Sequence, residues 1–166
     1  MSEARLAVES HFAFTWRPLT EALDARTLRG NRLLLRSINA TESSVLEAHP
    51  DRLHERLETK LDLALHWLGG VLYAGTVLPP ARTLRLDAEG LAWEESAAPA
   101  LGSQVRLTLY PNPGLAAPLE LAGEIVEAGG STWLRARLLD RSEEWQDEWT
   151  QWLFRLHRRT IQAARK

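Results

Sequence analysis

The chain has 166 residues, 45% hydrophobic and 25% charged, with a formal net charge of -2. That balance describes a folded globular protein, and it lacks the basic excess of one that tracks nucleic-acid phosphates. With no cysteine in the chain, disulfides, thiolate zinc sites and thiol nucleophiles are excluded.

The opening MSEARLAVES has no long apolar run, and no stretch approaches the roughly 18 apolar residues of a membrane span, so a soluble, cytoplasmic protein is expected. HFAFTW alternates Phe12, Phe14 and Trp16, the pattern of a short half-buried strand limited by Pro18. LRGNRLLLRSINATESSVLEA reads as a helix flawed at Gly30, with Leu34, Ile38, Thr41 and Val45 on one face. Pro50 stops it or opens the next helix, PDRLHERLETKLDLALHWLGGVLY, whose residues Leu53, Leu57, Leu61, Ala64, Leu68 and Leu72 form an apolar stripe. Arg52, Glu55, Arg56, Thr59, Lys60 and Asp62 make its polar face, and the Gly69-Gly70 pair weakens its end. AGTVLPPAR follows as a linker.

After Pro80 the period changes to two. TLRLDA, GLAWEE, SQVRLTLY, PLELAGEIVEA and TWLRARLLD read as strands, separated by breaks rich in Gly, Pro, Asn and Ser. Short strands at this spacing indicate an antiparallel barrel or sandwich. The closing DRSEEWQDEWTQWLFRLHRRTIQAARK is a helix capped by Asp140 or Ser142. It carries Trp145, Trp149, Trp152, Leu156 and Thr160 on one face. Helical spacing predicts that these rings dock on the barrel or a partner and do not stack on sugar. Acids crowd the front of this helix and bases its rear, which complements the helix dipole.

The layout LRLDAEGLAW, LGSQVRLTLYP, LELAGEIVE and a last strand leading into a helix resembles a PilZ domain. The leucine-rich helices before it resemble a divergent PilZ subgroup with a helical N-terminal extension that mediates self-association. The resemblance implies an α+β fold: a PilZ-like six-stranded antiparallel β-barrel with an N-terminal amphipathic helical region and a C-terminal helix. The expected division is residues 1–78, an N-terminal strand plus helical oligomerisation region, and residues 79–166, the barrel with its helix.

PilZ receptors hold cyclic di-GMP through two motifs, R-x-x-x-R and D/N-x-S-x-x-G. Arginine forks suit guanine and phosphate, and glycine admits the base close to the backbone. With Gly90 on the motif's glycine, Asp87 stands for the serine and Arg85 for the Asp or Asn. Only the glycine survives. R-x-x-x-R occurs as RLHER, Arg52 to Arg56, but on the polar face of the best helix. The corner is therefore expected to keep the fold without the receptor chemistry, and no cofactor is expected. The alternative is a cyclic di-GMP receptor with altered motifs, in which Arg82, Arg85, Asp87, Gly90, Arg135 and Arg137 would hold the ligand.

Trp133, Arg135 and Arg137 share one strand face, which could stack a base and hold phosphate; ordinary alternation makes it a solvated face with Leu134, Ala136 and Leu138 inside. The histidines, His11, His49, His54, His66 and His157, show no metal-ligand spacing; His66 has only Asp62 one turn earlier. No nucleophile or phosphate-loop motif occurs, so no enzyme is expected. The expected function is a non-enzymatic interaction and oligomerisation module. The resemblance implies a setting in bacterial signalling, motility or pilus regulation. The stripe Leu53, Leu57, Leu61, Ala64, Leu68 and Leu72 is the expected interface, a tetramer favoured over a dimer, with an unnamed protein partner and no nucleic acid.

Overall fold

The computed structural model describes residues 7–44, 71–97, 99–112, 116–128, 132–140 and 142–164, and the single positions 57, 61, 64, 68, 69 and 114, with backbone alone at 41–44 and 164. Six strands and two full helices are present among them. They are β1 (Val8–Pro18), α1 (Ala25–Ser44), β2 (Ala81–Leu86), β3 (Gly90–Glu94), β4 (Gln104–Tyr110), β5 (Leu119–Glu127), β6 (Trp133–Leu138) and α2 (Glu143–Ala164). The strands close into an antiparallel barrel in the order β1-β2-β3-β6-β5-β4. The α+β fold with a six-stranded antiparallel barrel that the resemblance implies is the fold observed.

Alternation decides the inside of the barrel. Leu84, Leu86, Leu91 and Trp93 point inward and are buried, as are Val105, Leu107 and Leu109 of β4. Leu134, Ala136 and Leu138 of β6 are buried while Trp133, Arg135 and Arg137 face outward. β1 contributes Phe12 and Phe14, the latter with its ring 5.3 Å from that of Trp93.

β1 corrects the expected division of the chain. It pairs with β2 on one side and with β4 on the other, so residues before 79 supply one barrel strand and residues after 79 supply five. The barrel is closed across α1, a pairing that no local pattern encodes.

α1 starts where Asp24 caps it. The carboxylate accepts from the Thr27 N–H at 2.7 Å, and the Asp24 carbonyl accepts from Leu28 N–H. Hydrogen bonding from Thr27, its backbone N–H first, holds the Asp24 carboxyl below its ordinary value. The buried face of α1 differs from the expected one. Asn31, Leu35 and Asn39 are buried, whereas Leu34 and Ile38 are half-buried beside them. Thr41 has only its backbone described, and Val45 lies outside the described residues. Polar residues can hold the buried face because the Asn31 amide is paired at both ends and the Asn39 NH2 finds acceptors, although the buried Asn39 Oδ1 accepts no hydrogen bond among the described residues. Asn31 accepts from Glu120 N–H and donates to Glu120 O, and Asn39 donates to Glu148 O and Oε2.

α2 closes the fold through Trp145, Trp149, Trp152, Leu153 and Leu156, all buried. The Trp152 ring lies 5.6 Å from Phe12 of β1, and Trp145 stacks on Trp149 at 5.5 Å. The tryptophan stripe is thus a packing face, as its spacing predicts. Arg32 pairs with Glu144 and Arg36 with Glu148, both 112 positions apart, so α1 and α2 run side by side in the same direction.

Leu57, Leu61, Ala64, Leu68, Gly69, Val71 and Leu72 are helical. Val71 and Leu72 are helical beyond the glycine pair. A turn follows Leu72 at Tyr73 to Gly75, where Gly75 has a φ of 82° that a side chain would strain. Among the described residues no helix is long and apolar enough to cross a membrane.

Candidate functional site

The corner between β2 and β3 is built around Asp87. Its N–H donates to the Gly90 carbonyl at 3.0 Å, and its Oδ1 accepts from the N–H groups of Glu89 and Gly90 at 2.8 and 3.0 Å. An aspartate that accepts from its own turn in this way fixes the chain reversal, with glycine three positions on. Gly90 is required for a steric reason. A Cβ there would lie 2.0 Å from the Ala136 carbonyl oxygen of the paired strand β6.

The second carboxylate oxygen of Asp87 pairs with Arg135 at 2.8 Å, with side-chain exposures of 9% and 21%. Glu89 lies 4.0 Å from the same guanidinium. The Asp87 carbonyl accepts from the Trp149 indole at 2.8 Å. This aspartate therefore has structural partners on its amide, its carbonyl and both carboxylate oxygens. In the sequence it reads only as an anion misplaced beside phosphates.

The remaining arginines of the candidate set are brought onto the outer barrel surface and are also paired. Arg82 meets Glu95 at 3.1 Å, Arg85 meets Glu9 at 3.1 Å, and Arg137 meets Glu124 at 2.8 Å. Strand register produces these pairs. Glu9 sits opposite Arg85, Arg85 opposite Ala92, and Ala92 opposite Arg135. The Arg85 guanidinium also lies 3.8 Å above the Trp133 ring, so the aromatic face that could stack a base carries a cation.

Glu95 is another heavily used carboxylate on this side. It accepts from Trp16 Nε1–H at 2.8 Å, from Arg82 and from Ser96 N–H. The Trp16 hydrogen bond, followed by the Arg82 hydrogen bond and charge, holds its carboxyl below the ordinary glutamate value.

The pairs are not equal obstacles to a ligand. Arg85–Glu9 and Arg137–Glu124 are solvent-exposed, and such pairs contribute about 0–1 kcal/mol, so a phosphate could displace them at little cost. Arg135–Asp87 is mostly buried, and opening it leaves a desolvated carboxylate inside the turn. The sequence gives no sign of Glu9, Glu95 and Glu124 as partners, because they meet their arginines only through strand pairing. The DAEG turn signature, aspartate first and glycine fourth, was the available signal for Asp87. The RLHER pair, Arg52 and Arg56, lies outside the described residues.

The expected interface residues are exposed. Leu57, Leu61, Leu68 and Leu72 show 59%, 65%, 60% and 68% of their surface to solvent in the single chain, and Val71 shows 78%. Ala64 is exposed as well; Leu53 lies outside the described residues.

A family model described as an atypical PilZ domain, cyclic di-GMP receptor, matches residues 35–166. The match begins inside α1 and leaves β1 uncovered. Among solved structures, the chain is similar to a pathogenic protein from Xanthomonas campestris, described as a tetrameric PilZ domain self-assembled via an unusual helical bundle. The two share 24% identity with a TM-score of 0.76, over 95% of this chain and 91% of that one, a likeness of fold. No curated protein matches.

Proposed function

The chain belongs to the atypical PilZ domain family, and we propose that it is a non-enzymatic module that assembles through its leucine-rich helix and offers its barrel to a protein partner. Exposure of Leu57, Leu61, Leu68 and Leu72, each helical and spaced four, seven and four positions apart, carries this reading. Leucines at this spacing bury one another when helices of several copies associate, and a contiguous apolar patch of this kind marks a contact surface. The Xanthomonas campestris protein assembles as a tetramer through a helical bundle, which favours a tetramer for this chain too.

The reading includes loss of cyclic di-GMP binding. Asp87 and Arg85 replace the motif's serine and its Asp or Asn, and the arginines that could serve instead are held by carboxylates of the chain. The setting we assign is bacterial signalling, motility or pilus regulation, in a cytoplasmic protein. Light scattering tests the assembly: a mass well above the 18.7 kDa of one chain supports it, and a monomer contradicts it.

A further inference from the structure

Away from the arginine face, a groove of about 480 Å³ lies between the β1–α1 connection, β5, the end of β6 and the first turn of α2. Leu121, Leu138 and Trp145 are its buried lining. Leu19, Leu23 and Leu28 line it as half-buried side chains. Its volume falls in the range of ligand sites, and its surface is mainly apolar.

The groove has a definite charge. Among the described residues, its only charged lining residues are Glu120 and Asp140. Arg106 approaches Glu120 to 3.9 Å, and among the described residues no cation pairs with Asp140, whose Oδ1 accepts from Ser142 N–H. The site is also rigid. Leu19 N–H donates to Gln104 O at 2.9 Å, Asp24 caps α1, and Asn31 clamps the Glu120 backbone in both directions. Both ends of the β1–α1 connection are thus tied down, so little ordering is required on binding.

An occupant must combine an apolar body with a cation. Ala22, Gln104 and Leu139 are exposed, so one side of the groove is open. Small-molecule sites enclose most of their ligand, whereas an open groove accepts side chains that project from a passing chain. The barrel is closed and has no free strand edge for backbone pairing, so recognition here runs through side chains. We propose that this groove docks a peptide segment of a protein partner in which a leucine-like side chain stands next to arginine or lysine. This rests on reading the barrel as the surface offered to a partner, and it supplies that partner's chemistry.

A second copy is the competing occupant. Leu33 of α1 is exposed beside Arg32 and Arg36, which is the same chemistry. Both of those arginines are already paired with Glu144 and Glu148. A contact from α1 of one copy to the groove of another is also head-to-tail, and such contacts form rings or extend into filaments. A separate partner fits the groove without either consequence.

The test uses the full chain and two dye-labelled heptapeptides, Gly-Arg-Leu-Arg-Leu-Arg-Gly and its counterpart with glutamate in place of arginine. Fluorescence anisotropy reads affinity. Fluorine NMR of 5-fluorotryptophan-labelled protein reads location, with the Trp145 signal assigned by Trp145→Phe. The basic peptide should bind saturably and move the Trp145 signal, and the acidic one should not. The double variant Glu120→Gln, Asp140→Asn keeps the local hydrogen-bonding shape and should weaken binding about tenfold or more. Ala122→Phe fills the groove and should abolish binding with mass and melting point unchanged. The proposal is overturned by equal binding of both peptides, by none tighter than millimolar, or by a double variant that binds as well as the wild type. It is equally overturned if the Trp145 signal moves when the chain alone is diluted, which would put a second copy in the groove. Light scattering on the same samples separates the two ideas. An assembled chain that ignores the peptide contradicts only the groove, and a monomeric chain that binds it contradicts only the assembly.

Discussion

The indole N–H of Trp149 donates to the backbone carbonyl of Asp87 across 2.8 Å, and Asp87 is the residue standing where the receptor motif has serine. One hydrogen bond thus joins the C-terminal helix to the corner that carries ligand chemistry in the receptor motif. Trp149 is 1% exposed, so the bond has no competition from water. Trp149→Phe keeps most of the packing and leaves the carbonyl without this donor, which should cost about 1–3 kcal/mol. Trp149→Ala also opens a cavity and should cost roughly 3–5 kcal/mol. Chemical denaturation followed by circular dichroism measures both. Unchanged stability in both variants would mean that the stripe does not anchor the helix.

Gly90→Ala should be among the most damaging single substitutions in the barrel. The added methyl would meet the Ala136 carbonyl oxygen at 2.0 Å, and that atom belongs to a paired strand that cannot swing aside. A loss of about 3 kcal/mol or more is expected, read as a large fall in melting temperature. If Gly90→Ala melts with the wild type, the glycine is not there for close strand approach.

Much of this fold is legible in the sequence, and the failures have physical causes. The alternation in TLRL, GLAW, QVRLTL and WLRARL gives the inward and outward sides of those strands correctly, because the pleat has a period of two. Trp145, Trp149 and Trp152 announce a packed helical face in the same way. The place of β1 is not legible: its neighbours β2 and β4 are set by pairing over long separations. The buried face of α1 is misread because Asn31 and Asn39 score as polar, yet Glu120 backbone groups pair both ends of Asn31 and Glu148 accepts from the Asn39 NH2. At the candidate site, the loss of the motif is visible in Arg85 and Asp87. The structural use of Asp87, and the pairing of each arginine, depend on register.

Glu95 makes acid stability testable. Its carboxyl is held below the ordinary value by Trp16 and then by Arg82, so it stabilises the fold at pH values above the ordinary carboxylate range. That stabilisation disappears as pH falls through the lowered value in the folded protein. Glu95→Gln should be less stable than wild type near neutrality, and the difference should shrink on acidification through this window. Unfolding midpoints of the two proteins across pH read it. A gap that stays constant with pH would show that ionisation of Glu95 contributes nothing.

Calorimetry with cyclic di-GMP should show no binding tighter than roughly millimolar, equivalent to a standard free energy of about -4 kcal/mol. The mostly buried Asp87–Arg135 pair is the main obstacle, since the exposed pairs yield easily. A saturable micromolar isotherm, weakened by Arg135→Ala or Arg85→Ala, would instead identify a receptor with altered motifs.

The most direct measurement is the mass of the intact chain by light scattering across a dilution series, repeated for Leu61→Asp and Leu68→Asp. Both leucines are largely exposed in the single chain, so an aspartate there costs the monomer little. In an assembly it would bury an unpaired carboxylate, at a cost of several kcal/mol. The expected result is a mass of several chains, a tetramer foremost, that falls on dilution or in both variants while the barrel stays folded. A monomeric mass for the wild type at micromolar concentration, or variants that keep both its mass and its melting point, would contradict assembly through this helix.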